Sequence, residues 1–445
     1  MPIGAKDFTS GAIFQPLVRL AMPIMATSFM QMAYNLTDMA WVGRLGSESV
    51  AAVGAVGMLT WITSSFSMLS KVAAEVSIGQ ALGARKGREA MAFASHTTTI
   101  SLLMSIVVGV VLYTCADFIM LFFKLSPEIQ KLAVDYLKIV SFSTPFSFLI
   151  LNFIGVYNGA GRSNIPFVLV SSGLILNILL DPLLIFGIPG VFNGMGVKGA
   201  AIATVISQGI VVILLVYRLR RSDGILNRFP FFVRLRGSFT MRVFRLGFPI
   251  AMMTFVFSSV NTYLARIASI YDGHLGIATQ TVGGQIEAIT WCTSQGFSTA
   301  LGAFVAQNFG AGKMNRAWTA YRYTLTVMLS LGVFVTVAFI FFGKHIFGVI
   351  VPEADAAIAG GNYLFVMGFA QIFVMLELTT QGMFNGKGRT LPPAIVSIVF
   401  NVARIPMALL FASWMGVSGI WWAIAVSCII KGITLPIWLM RNKKT

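Results

Sequence analysis

The chain has 445 residues, of which 57% are hydrophobic and only 11% charged. A soluble domain carries roughly 25% charged residues, so a soluble globule of this composition would have no way to hide its apolar surface, and a lipid bilayer is its natural solvent. The net charge of +17 would suit a nucleic acid, but Lys and Arg stand in short clusters between apolar runs. No basic face or groove-reading module is present, and no nucleic-acid partner is expected.

A spanning helix needs about 20 apolar residues. Apolar runs set against charged and Gly/Pro punctuation predict twelve spans, over 14–41, 50–79, 91–122, 136–158, 165–187, 198–217, 246–267, 276–307, 320–343, 360–384, 392–413 and 416–439. The expected fold class is therefore an all-α membrane protein. The first apolar run continues through Pro23 without a small-residue cleavage site, so it reads as a retained span and not as a secretory signal. Cys115, Cys292 and Cys428 are far apart in apolar surroundings and read as buried thiols, with neither disulfide nor metal-ligand spacing. No nucleophile–base constellation is apparent, and the chain does not read as an enzyme.

The basic residues orient the spans. With both termini and the even-numbered connections on one side, that side receives 22 of the 32 Lys and Arg, the other side 7, and Lys71, Arg404 and Lys431 remain at membrane depth. This bias places both termini in the cytoplasm of a multi-pass protein of the cell (inner) membrane.

The long basic connection 218–245 separates two halves, 1–217 and 246–445, expected to be two six-helix bundles. Arg19-Leu20-Ala21-Met22-Pro23-Ile24 recurs as Arg245-Leu246-Gly247-Phe248-Pro249-Ile250. Gln80 to Ala84 recurs as Gln307 to Ala311, Tyr157 to Ser163 as Phe384 to Thr390, and Met195 to Gly199 as Met415 to Gly419. Six spans per half make the repeats parallel, an arrangement that in carriers puts the substrate path between pseudo-symmetric halves.

Charges at membrane depth carry a cost and need a partner or a task. Asp38 lies near the outer end of the first span and Asp181 near the outer end of the fifth, so the two carboxylates share a depth. Asn177 is one turn before Asp181 and Tyr34 one turn before Asp38, and Thr204 reaches the same level in the sixth span. Two carboxylates with amide and hydroxyl oxygens suit Na⁺, with Asp38, Asn177 and Asp181 as its ligands. The same pair could hold a proton, or merely cap a broken helix. The second half lacks these acids. It carries Glu287, Glu377 and Arg404, which read either as an internal ion pair or as the lining of a substrate cavity. Lys71 and Glu75, four apart, read as a local ion pair. Pro23 removes a backbone hydrogen bond from the helix that bears Asp38 and is a candidate hinge.

Asp38-Met39-Ala40-Trp41-Val42-Gly43-Arg44-Leu45-Gly46, followed by Val50-Ala51-Ala52-Val53-Gly54, resembles the first-span signature of multidrug and toxic compound extrusion (MATE) transporters. Gln80 to Ala84, Asn158 to Ser163, Gly199 to Thr204, Glu287 with Gly296-Phe297-Ser298, and Gln307 to Ala311 are similar to other motifs of that family. The resemblance implies two six-helix bundles around a V-shaped central cleft. It implies export of organic cations and other amphiphiles in exchange for H⁺ or Na⁺, with no further cofactor, by a chain expected to act as a monomer. In the DinF-like branch, favoured here because 252–260 holds no acid, the cation site would comprise Asp38, Asn177, Asp181 and Thr204, with Pro23 and Tyr34 serving the bend of the first span. A dedicated metabolite exporter and a lipid-linked oligosaccharide flippase of the same superfamily are the alternatives.

Overall fold

Hydrocarbon offers a backbone amide no partner outside the chain, so spanning segments must satisfy themselves as helices. The computed structural model describes residues 6–123, 125–188, 190, 192–221, 227–351 and 353–442. Lys124, Lys443 and Lys444, which enter the charge bias, lie outside the described residues.

The helices follow the apolar runs. In chain order they are α1 (Phe14–Gly43), α2 (Ser47–Gly83), α3 (Gly87–Thr114), α4 (Ala116–Leu121), α5 (Pro127–Ser141), α6 (Thr144–Gly159), α7 (Asn164–Phe186) and α8 (Val197–Arg220). The second half contributes α9 (Gly237–Gly310), α10 (Met314–Ile350), α11 (Ala354–Gly386), α12 (Leu391–Met415) and α13 (Val417–Arg441). Among the described residues, nine helical stretches are long and apolar enough to cross a membrane, and α5 with α6, bent by 50°, forms a tenth. Together with α1 and the later part of α9 these make the twelve spans of an all-α, multi-pass membrane protein.

Several details differ from the expectation. The third span breaks at Cys115 into α3 and α4, and the fourth is bent between α5 and α6. Helix α5 also begins nine residues earlier than predicted, and the charge of Asp135 in those extra turns finds a partner in Lys198 at 3.0 Å. Between α7 and α8, β1 (Gly187–Ile188) and β2 (Phe192–Asn193) pair antiparallel.

Helix α9 reads as one run of 74 residues, yet it must double back. Gln381 on α11 donates to Met253 Sδ (3.7 Å), and one turn away Leu378 O accepts from Ser298 Oγ (2.6 Å). Positions 253 and 298 would lie about 68 Å apart on a straight helix. The reversal therefore falls between them, as expected for two spans.

The repeated motifs build the same helix ends twice. Lys86 N donates to Ala81 O (2.8 Å) and Lys313 N to Asn308 O (2.8 Å); Arg162 N donates to Tyr157 O (2.8 Å) and Arg389 N to Phe384 O (3.0 Å). Each is a Schellman closure, with Gly161 and Gly388 in the left-handed region that it demands.

The chain packs as two compact units. Unit 1 is Met1–Asp7 with Ala26–Phe248, and unit 2 is Phe8–Met25 with Pro249–Thr445. The core of unit 1 gathers Ala74, Phe93, Phe153 and Leu215 in one cluster and Val42, Met120, Leu137 and Ala200 in another. That of unit 2 gathers Leu17, Leu264, Phe304, Phe347, Phe384 and Trp421. In unit 1 the connection is tied down by α3: Val233 N donates to Thr99 Oγ1 (3.1 Å) and Arg236 N to His96 Nε2 (3.2 Å). In unit 2 the arm before α1 is held by α9 and α10. Phe8 N donates to Gln307 Oε1 (3.1 Å), Asn308 Nδ2 to Phe8 O (3.1 Å), Lys313 Nζ to Thr9 O (2.9 Å) and Arg316 Nη1 to Gly11 O (2.9 Å).

A Cβ at Gly432 of α13 would meet the backbone of Phe373 on α11, whereas one at Gly57 of α2 would meet nothing within 4 Å. Gly432→Ala is expected to cost about 1–3 kcal/mol through overpacking and to lower the thermal unfolding temperature in detergent. Gly57→Ala should leave that temperature unchanged or raise it.

Candidate functional site

The outer-end acids of unit 1 come together. Asp181 is fully buried on α7, and Asn177, one turn earlier, is 2% exposed. Asn177 Nδ2 donates to Asp181 Oδ1 across 3.3 Å, the i, i+4 geometry expected on one helix face. Pro182 follows directly inside α7, so the carbonyl of residue 178 loses its usual donor. From α1, Asp38 places its carboxyl group within hydrogen-bonding reach of Asp181. Tyr34, one turn before Asp38, meets Thr204 of α8 with its hydroxyl 3.3 Å from Thr204 Oγ1. Thr204 also donates to Ala200 O at 3.1 Å.

One buried oxygen of each of three side chains has no hydrogen-bond partner: Asp38 Oδ1, Asn177 Oδ1 and Asp181 Oδ2. Buried polar atoms are nearly always paired. An amide and two carboxylates with open lone pairs form an acceptor-only cage, which a cation or a shared proton would complete. A fourth element contributes as well. Tyr136 on α5 is 7% exposed and is an electrostatic neighbour of Asp38, Asp181 and Tyr34. Sequence reasoning missed it, although the predicted fourth span begins at 136, at the outer level where Asp38 and Asp181 were placed.

Pro23 does not belong to this cluster. It lies inside α1, fifteen residues before Asp38 and about 22 Å away along the axis. Its position is nevertheless distinctive. Helix α1 passes from unit 2 to unit 1 after Met25, and α9 passes from unit 1 to unit 2 at Pro249. Both leading helices thus change unit beside a proline that removes a backbone hydrogen bond.

The charges of unit 2 fall into two groups. Glu377 Oε2 pairs with Lys431 Nζ at 3.1 Å, both side chains being buried, and Glu377 Oε1 accepts from Ser397 Oγ at 2.9 Å. Arg404, 2% exposed, donates instead to neutral acceptors: Ser427 Oγ (2.6 Å), Cys428 Sγ (3.1 Å) and Asn261 Oδ1 (3.4 Å). Glu287 has Tyr363 and Arg404 as electrostatic neighbours and keeps Oε1 buried without a hydrogen-bond partner. Lys431 was legible only as a charge at membrane depth. Nothing in the spacing linked it to a residue 54 positions earlier.

The model of the MatE family matches residues 23–183 and 249–410, one stretch in each half. Over 440 residues the chain is 26% identical to the "Probable multidrug resistance protein NorM" of Thermotoga maritima, covering 97% of this chain and 93% of that protein. It is 24% identical to the "FAD transporter" of Shewanella oneidensis over 433 residues, 95% of this chain and 94% of that one. Among solved structures, "Crystal structure of MATE in the bent conformation" superposes with a TM-score of 0.90 at 21% identity, covering 98% of this chain and 96% of the other. A superfamily transporter from Pyrococcus furiosus superposes with a TM-score of 0.88 at 22% identity, over 98% and 97%.

The buried pair in unit 2 makes a stability prediction. Lys431→Met leaves the Glu377 carboxylate without its counter-charge and should destabilise the protein by about 3–5 kcal/mol. The double variant Glu377→Gln/Lys431→Met should recover most of the loss, measured by thermal unfolding in detergent.

Proposed function

The chain belongs to the MatE family, and from that premise we propose that it is a secondary active antiporter that exports organic cations or amphiphilic toxins in exchange for H⁺ or Na⁺. The observation that carries the proposal is the acceptor-only cage of Asp38, Asn177 and Asp181, with Tyr34, Thr204 and Tyr136 beside it. Adjacent carboxylates repel each other in a poorly screened interior, so a proton or Na⁺ between them relieves the repulsion. Binding on the outer side neutralises the cage, and release on the cytoplasmic side restores its charge.

The same cycle gives Pro23 a role. A helix lacking a backbone hydrogen bond changes its bend at low cost, and Asp38 rides on the part of α1 beyond Pro23. Ion binding at Asp38 then biases the bend of α1, and with it the access of substrate. Both termini are read as cytoplasmic, from the excess of Lys and Arg on that side. Glu287 supplies a negative charge that an organic cation could meet, whereas Glu377 is already neutralised by Lys431.

A second reading is a dedicated metabolite exporter. One similar protein is named as an FAD transporter, and Arg404, which hydrogen-bonds neutral acceptors and has Glu287 as an electrostatic neighbour, is a cation that an anionic group could meet. A flippase of lipid-linked oligosaccharides has no separate support in the geometry.

The test is uptake of ethidium into everted vesicles under an acidic lumen or, separately, a sodium-loaded one. Wild type should accumulate the dye under one of the two gradients, and Asp38→Asn and Asp181→Asn should fall to the level of vesicles without the protein. Full transport in Asp38→Asn would remove the cage from coupling. Tyr34→Phe should weaken the effective ion affinity about fivefold, equivalent to about 1 kcal/mol for the lost Thr204 contact. Uptake of a flavin dinucleotide in place of ethidium would favour the metabolite reading.

A further inference from the structure

One helix crossing is built twice, and only one copy carries charge. In unit 1, Gly155 and Gly159 of α6 lie against the backbones of Lys71 and Glu75 on α2. In unit 2, Gly382 and Gly386 of α11 lie against the backbones of Ser298 and Gly302 on α9. Each residue of the second set is 227 positions beyond its counterpart. The close approach depends on glycine on one helix and on backbone on the other. Since Ser298 and Gly302 support it without charge, packing does not require Lys71 and Glu75.

Their environment is not that of a plain ion pair. Glu75 is 7% exposed, and the four ion pairs within 4.0 Å among the described residues do not include it. Lys71, one turn away, acts on it through space, and Asn158 of α6 is its polar neighbour. The Asn158 amide lies within hydrogen-bonding reach of Glu75, yet its Oδ1 and Nδ2 are buried without a well-formed hydrogen bond. A buried carboxylate beside an ammonium and an open amide is therefore held without being locked.

Position supports a task. Glu75 lies 28 residues into α2, about 42 Å from the end that follows Asp38, and so at the opposite end of unit 1. Ser64, Ser67 and Ser70 lead back along α2 from Lys71, with Ser67 Oγ donating to Ser64 O (2.6 Å) and Ser70 Oγ to Ser67 O (3.1 Å). In the other half Phe297 stands in the place of Ser70 and Trp291 in that of Ser64.

We propose that Glu75, with Lys71 and Asn158, is a proton-transfer site at the cytoplasmic end of unit 1. Resting on the antiport reading above, it makes the coupling ion a proton. The Glu75 carboxylate takes up the proton leaving the Asp38–Asp181 cage and passes it to cytoplasmic water. Lys71 offsets the charge left behind, and Asn158 completes a hydrogen bond in either state. One carboxylate and one amide offer few oxygen ligands to a hard cation such as Na⁺, whereas a proton needs only the carboxylate.

The experiment uses the full chain in liposomes with a lumenal pH dye and ethidium. Gradient-driven ethidium transport and the accompanying proton flux are compared with ethidium–ethidium exchange at equal pH. Glu75→Gln should lower driven transport and proton flux together by at least about tenfold while exchange falls less than about twofold. Lys71→Ser/Glu75→Gly installs the residues of the other half, and should show the same split, with thermal stability lowered by no more than the cost of one glycine inside a helix. Driven transport at the wild-type rate in Glu75→Gln overturns the proposal. So does a joint fall of driven transport and exchange. A wild type that ignores a pH gradient but answers to sodium overturns the proton assignment and leaves antiport standing. A wild type that answers to neither overturns both.

Discussion

Hydrocarbon contains no water to receive a polar group, and nearly every feature of this chain answers to that constraint. The backbone closes its own hydrogen bonds in thirteen helices among the described residues. Serine and threonine hydroxyls within the spans return to carbonyls three or four residues earlier, as Thr98 does to Ala94 and Thr379 to Met375. Buried charge is met in the same way, by the opposite charge for Glu377 and by three neutral acceptors for Arg404. Other buried atoms are left open: Asp38 Oδ1, Asn177 Oδ1 and Asp181 Oδ2, like Glu287 Oε1 and Asn401 Oδ1, have no hydrogen-bond partner, and at this depth each such atom is costly.

The two halves show how one scaffold hosts two chemistries. Their helix ends close with the same hydrogen bonds, and their tightest crossings use glycines at matching places. Several polar side chains at equivalent positions nevertheless differ. Asn177 recurs as Asn401, each with a buried Oδ1 lacking a partner, but Asp181 is replaced by Ile405 and Asp38 by Leu264. Backbone geometry was preserved where two helices touch, while residues lining the polar interior were free to diverge.

Much of this was legible in the residues. Apolar length located the spans, since hydrophobic thickness acts on each segment separately. Depth along a spanning helix is close to depth across the membrane, so Asp38, Asn177, Asp181, Tyr34 and Thr204 could be placed at one level, and the side chains of Tyr34 and Thr204 and of Asn177 and Asp181 do meet. What escaped was whatever depends on rotation about the helix axis or on a distant partner. Lys431 could have faced any of several neighbours, and only packing turns it toward Glu377. The early start of α5 was hidden because Glu128, Lys131 and Asp135 look like a polar connection until Asp135 is seen to pair with Lys198. The break at Cys115 carries no proline or glycine to announce it.

The membership of the two compact units has a bearing on how the chain is made. Residues 8–25 are synthesised among the first, yet their packing partners at Phe304, Gln307, Lys313 and Arg316 are synthesised roughly 300 residues later. At about 5–20 residues per second that leaves an interval of some tens of seconds. Unit 1 in turn stays incomplete until the start of α9 is translated, since residues up to Phe248 belong to it. Neither unit can finish folding from its own half of the message. Cleaving the chain at the sequence repeat would strand a segment on each side, so the duplication visible in the motifs no longer marks a place where the protein can be divided.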